Sequence, residues 1–82
     1  MKSRVWNKYI GKERGTNKCL CCNDKEISQM DFECGHVLAR TNGGKNSVEN
    51  LRPICGLCNK SMGSVHMLEF MIKNSFDTKY VL

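Results

Sequence analysis

Two cysteine pairs, Cys19-x-x-Cys22 and Cys55-x-x-Cys58, constrain this 82-residue chain more than any other feature. A two-residue spacer lets both sulfurs of one knuckle face a single ion. Two knuckles complete a tetrahedron of thiolates at about 2.3 Å from zinc. The 32 residues between the pairs are enough to fold as a unit whose base the metal joins. Four thiolates leave no open coordination position, so zinc held this way is structural and not the seat of a reaction. Disulfides are the competing reading. Against them, the start Met1–Tyr9 has basic residues with no continuous apolar run behind them, which points to a reducing, intracellular setting. No stretch approaches the length that spans a membrane.

The remaining cysteines are ambiguous. Cys21 sits inside the first knuckle and is an alternative ligand to Cys22, at a tighter spacing than usual. Cys34 reads most simply as a small buried hydrophobe, with a ligand or a redox-sensitive thiol as the other readings.

A chain of 9.4 kDa has room for one domain, taken as 1–82, and excludes dinucleotide-binding folds and barrels. Ordering it costs roughly 120 kcal/mol at about 1.5 kcal/mol per residue. Only three Phe, two Tyr and one Trp supply large rings to oppose that cost. A metal staple is the expected remedy.

The formal charge of +5 is unevenly placed. Residues 1–18, a basic N-terminal helix or arm, hold Lys2, Arg4, Lys8, Lys12, Arg14 and Lys18 against Glu13 alone, whereas residues 19–82 balance seven basic with seven acidic side chains. Clustered cations of this kind condense onto a phosphate backbone, adding affinity without sequence information. A merely solubilising terminus is the plainer alternative.

The periodicity predicts a helix over Arg4–Ile10, with Val5, Trp6, Tyr9 and Ile10 on one side and Gly11 ending it. Gly15-Thr16-Asn17 reads as a turn, Ile27–Phe32 as a weak strand and Glu33–Ala39 as a strand. Residues 41–47 form a loop, in which Gly43-Gly44 allow unusual backbone angles and close approach by a ligand. Leu51–Ile54 is extended, and Pro53 restricts it to a short or edge strand. A helical pattern follows from Gly56, interrupted near Gly63-Ser64. Ser64 is the expected cap of a second stretch whose core face is Met67, Leu68, Met71 and Ile72.

Between the knuckles the chain reads Cys34-Gly35-His36-Val37, then Gly43-Gly44, then Glu49-Asn50-Leu51-Arg52-Pro53-Ile54-Cys55, and finally Cys58-Asn59. This order resembles the zinc-containing branch of the HNH endonuclease family. The run Cys58–Gly63 is similar to small HNH proteins encoded by large DNA viruses, which would act in the host cytoplasm or nucleus. The resemblance implies a small α+β fold: a zinc-stapled ββα core flanked by an N-terminal and a C-terminal helix. It assigns His36 as the general base for water, Asn50 as the asparagine that holds the loop and orients the histidine, and Asn59 as the residue near a catalytic magnesium or manganese ion. An imidazole suits the first role because it exchanges protons near neutral pH when a hydrogen bond orients its other nitrogen.

The chain departs from the family at Gly35, where active members carry a metal-binding aspartate. Glu33, Glu49, Asp31 and His66 are the nearby candidates to replace it, although His66 reads first as helix packing. Two functions follow. One is a metal-dependent DNA nuclease or nickase of little sequence preference, with Arg40, Lys45, Arg52 and Lys60 positioning phosphate oxygens beside Arg4, Lys8, Lys12, Arg14 and Lys18. The other is a weakened or inactive zinc-stapled module that binds DNA or RNA. A scaffold without a nucleic-acid role is a third. So small a protein would embrace a duplex best as a homodimer.

Overall fold

A computed structural model describes residues 1–81; Leu82, at the end of the expected domain, lies outside them. The described chain runs α1 (Lys2–Tyr9), β1 (Thr16–Lys18), β2 (Glu26–Ser28), β3 (Glu33–His36), β4 (Leu51–Ile54), α2 (Gly56–Met62) and α3 (Met67–Lys73), with single 3-10 turns at Arg40–Asn42 and Val48–Asn50. β3, β4 and α2 form the expected ββα core, with α1 and α3 flanking it.

Helix α1 buries Val5 and Trp6 completely, and the Trp6 ring lies 5.1 Å from that of Phe32. The indole also ends the helix. Its Nε1 donates to the carbonyls of Gly11 at 3.1 Å and Arg14 at 2.9 Å, while Gly11 takes a φ of +122° that a side chain would resist.

β1 and β2 pair antiparallel with Thr16 opposite Ser28, Asn17 opposite Ile27 and Lys18 opposite Glu26. Of the expected turn at 15–17, only Gly15 bends; Thr16 and Asn17 belong to a strand. Its polar composition is overridden because the knuckle at Cys19–Asn23 folds the chain back and supplies a partner. The strand expected at Ile27–Phe32 is shorter than its composition suggests, because Ser28 and Asp31 bond to each other across a tight turn that leaves Met30 94% exposed.

β3 and β4 pair antiparallel with Glu33 opposite Ile54, Cys34 opposite Pro53, Gly35 opposite Arg52 and His36 opposite Leu51. This two-stranded sheet tolerates Pro53, whose missing N–H has no ladder partner to lose on the open edge. The expected strand to Ala39 stops at His36, although the Val37 amide still donates to the Asn50 carbonyl at 2.8 Å.

α2 ends at Gly63, which has a φ of +57°. The following helix is capped not by Ser64 but by His66, whose Nδ1 accepts from the Leu68 amide at 3.2 Å. Ser64 lies two residues too early because the Val65 amide still bonds back to Met62. Met67 and Met71 are fully buried, but Ile72 is 64% exposed and does not belong to the core face assigned to it.

A four-cysteine centre and the adjoining cleft

The ββα turn brings the two knuckles together. Cys55 directly follows β4 and Cys58 lies in the first turn of α2, while Cys19 and Cys22 lie beyond β1. The sulfurs of Cys19, Cys22, Cys55 and Cys58 all fall within 4.8 Å of one another, and among the described residues this is the one such cluster of His, Cys or carboxylate groups. The Sγ atoms of Cys19 and Cys58 are 3.9 Å apart. A zinc tetrahedron with bonds of about 2.3 Å has edges of about 3.8 Å, so the spacing fits that ion. Cys22, not Cys21, completes the cluster.

Backbone amides reinforce the donor set. Cys19 Sγ accepts from the amides of Cys21 at 3.3 Å and Cys55 at 3.2 Å, and Cys55 Sγ accepts from that of Cys58 at 3.4 Å. Such bonds spread the negative charge of a four-thiolate centre. Burial pushes the Cys19 and Cys58 thiols up, and neighbouring thiolate charge adds to the rise. Burial also acts upward on Cys22, but the amides of Lys25 and Asp24 and the thiols of Cys19 and Cys58 outweigh it and hold this group below the ordinary value.

The remaining two thiols lie outside the cluster. Burial pushes Cys21 up to about 12, more than its side-chain bond with Cys58 lowers it, and its backbone N–H donates to Cys19 Sγ. Cys34 is half-buried beside the core and raised by burial, a shift that Lys2 only partly opposes. A thiol held protonated is a poor nucleophile and a poor redox sensor.

At the other end of β3, His36 and Asn59 line one cleft of about 310 Å³ with Arg40, Thr41, Met62 and Ser64. The structure thus brings the first and last of the family positions together. Asn50 does not line this cleft; it borders a separate hollow with Gly43, Gly44 and Lys45 and serves as the loop lock. Its Oδ1 accepts from the Leu38 amide at 2.9 Å, and its Nδ2 donates to the carbonyls of Leu38 at 3.0 Å and Lys45 at 2.8 Å. Every polar atom of this amide is used across the loop.

The two loop glycines divide the labour. Gly43 takes a φ of +92° that ends the 3-10 turn, whereas a Cβ on Gly44 would overlap the Leu38 carbonyl oxygen. The close approach anticipated at this pair is made by the chain's own backbone. Replacing Asn50 with Ala removes three hydrogen bonds worth about 0.5–1.5 kcal/mol each. We expect the variant to lose about 2–4 kcal/mol on urea unfolding and to expose the amides of 38–46 to fast hydrogen exchange, while zinc stays bound. Protection equal to the parent's would remove Asn50 as the lock.

Asn46 carries no mark in the sequence beyond its place in a polar loop. Its Oδ1 lies 3.0 Å from His36 Nε2.

Of the suggested substitutes for the missing carboxylate, none lines the cleft: Glu49 borders a separate hollow beside Gly43 and Lys45, His66 caps α3, and Glu33 and Asp31 are exposed elsewhere. Gly35 itself is turned inward. A Cβ there would overlap Ile54 Cδ1 and come within 3.0 Å of Met67 Cε.

The basic residues fall into two groups. Arg4, Lys8, Lys12, Arg14, Lys18, Arg40, Lys45 and Lys60 are exposed. Among the described residues the one ion pair is Lys79–Asp77, so these cations meet no carboxylate. Arg52 differs. Its guanidinium donates to Tyr80 O at 2.7 Å, to Tyr9 Oη at 2.7 Å and to the carbonyls of Glu49 and Leu51, and it lies 4.3 Å from the Tyr9 ring centre. It is directed at the protein, not at solvent. Among the described residues, no helix is long and apolar enough to cross a membrane.

No curated protein and no solved structure matches the chain. A model described as HNH endonuclease matches residues 19–64, from the first zinc ligand past α2 to the turn at Ser64. That span covers more than half of the chain and contains the thiolate centre, the ββα unit and the cleft, so this protein belongs to the HNH endonuclease family.

Proposed function

We propose that the chain nicks DNA, with His36 taking the proton from the attacking water. The observation that carries this reading is the shared cleft: His36 at the end of β3 and Asn59 on α2 face one space, with the Arg40 side chain on its wall. A phosphodiester lying along the cleft would place its oxygens near Arg40 and, one residue past Asn59, the exposed Lys60. As water attacks phosphorus, its proton passes to His36, the bond from phosphorus to the 3′ oxygen breaks, and the departing oxygen takes a proton from solvent. The guanidinium stabilises the charge that builds on the phosphoryl oxygens. The unpaired cations of residues 1–18 supply backbone affinity without sequence preference.

A resident magnesium or manganese ion does not fit the donors present. The cleft offers the neutral groups of His36, Asn59, Thr41 and Ser64 and no carboxylate, whereas magnesium sites are built on carboxylate and phosphate oxygens. The same observation supports the second reading, a module that binds nucleic acid and does not cut it.

Zinc-loaded protein on supercoiled plasmid separates the two. We expect conversion to the nicked circle, scored with and without added magnesium or manganese, and a loss of at least 100-fold in His36→Ala, the scale of general-base catalysis. Tight binding with no nicking under any of these conditions selects the binding module. Equal nicking by His36→Ala rules out the base.

A further inference from the structure

We infer that Asn46 is a positioning residue that sets which nitrogen of His36 accepts a proton. The inference rests on the reading of His36 as the base.

A neutral imidazole carries one N–H and one lone pair, and the hydrogen bond made by one nitrogen decides which is which. Asn46 presents its side-chain oxygen to His36 Nε2 at 3.0 Å. A carbonyl oxygen can only accept, so Nε2 holds the hydrogen and Nδ1 is left as the basic nitrogen. Packing gives no other reason for this amide, because Asn46 is exposed.

The loop is built to deliver it. Asn46 follows Lys45, whose carbonyl is held by Asn50 Nδ2 at 2.8 Å. On the other side of Lys45, the Gly44 amide donates to the Ala39 carbonyl at 2.9 Å, in a spot where no Cβ fits. Asn50 therefore does not touch the histidine side chain. It fixes the backbone one residue before Asn46, and Asn46 makes the contact. The orientation assigned to Asn50 by the family resemblance is, in this chain, relayed through a second amide.

The test reads the ring directly. Nitrogen-15 correlation spectra of the zinc-loaded protein in mildly alkaline buffer report which imidazole nitrogen bears hydrogen. In the parent protein we expect His36 protonated at Nε2 alone. Asn46→Ala should relax the ring towards a mixture of tautomers and lower nicking about tenfold, the low end of the loss seen when the partner that orients a metal-ligating histidine is removed. Asn46→Asp keeps an acceptor oxygen and should restore the single tautomer. Unchanged zinc content in both variants would show that the fold is intact.

A parent ring protonated at Nδ1 would overturn the proposal, and so would an Asn46→Ala ring identical to the parent's. Because the spectra do not depend on turnover, they decide the point even for a protein that binds DNA without cutting it. If His36→Ala nicks as well as the parent, the base assignment fails. If His36 is required but Asn46→Ala changes neither spectrum nor rate, the role given to Asn46 fails alone.

Discussion

Withdrawing zinc with a chelator is expected to unfold the ββα core rather than loosen it. Structural zinc sites contribute about 10–16 kcal/mol near neutral pH, against a total stability of about 5–15 kcal/mol for a typical domain. The ligands sit at both ends of the segment that carries His36, Asn50 and β4. Without the ion, nothing covalent or coordinate joins Cys19 and Cys22 to Cys55 and Cys58, since all six cysteines are free thiols.

Fluorescence of Trp6, fully buried beside Phe32, should report a single cooperative loss as chelator is added, and Cys58→Ser should behave as the stripped protein does. The pH dependence has a definite sign. Burial raises the Cys19 and Cys58 thiols, so zinc must displace tightly held protons. Metal-dependent stability is therefore present at neutral and alkaline pH and is lost as the solution is acidified. A chelated protein with native fluorescence and dispersed amide signals would refute the zinc staple.

Placing an aspartate where the resemblance leads one to expect it, Gly35→Asp, is expected to break the protein and not to improve its chemistry. In this chain the Gly35 Cβ direction leads into Ile54 and Met67, both fully buried. Gly35→Ala already overpacks that site, at about 1–3 kcal/mol. A carboxylate adds an unpaired buried charge, for which about 3–5 kcal/mol is typical. Together these approach the whole stability of a small domain. Urea unfolding of the two variants should show Ala weakened and Asp largely unfolded. A folded Gly35→Asp protein with faster magnesium-dependent nicking would show that the strand can turn this position towards the cleft.

The frame was legible in the sequence because its determinants are local and chemically narrow. Cysteines separated by two residues have few uses, and the Pro53 and Gly63 positions punctuate the chain where β4 lies and α2 stops. What was not legible depended on tertiary partners. Thr16–Lys18 is a strand only because the knuckle returns residues 26–28 to it. His66 replaces Ser64 as the cap because the turn after Gly63 is longer than the cap rule assumes. The inward direction of Gly35 depends on packing by α3, an element outside the motif. Asn46 belongs to a polar loop in which any of several side chains had an equal claim to His36, and only the anchoring by Asn50 selects it.

Arg52 shows how a surface cation can mislead a mapping experiment. One planar group latches together three stretches remote along the chain, at Tyr9, Glu49 and Tyr80. An alanine scan of basic residues would record it beside Lys8 or Lys60 as a phosphate contact, although the defect would come from the released clasp. Lysine in its place would preserve the charge and still fail, because a single ammonium cannot address several fixed acceptors in a plane while lying over a tyrosine ring.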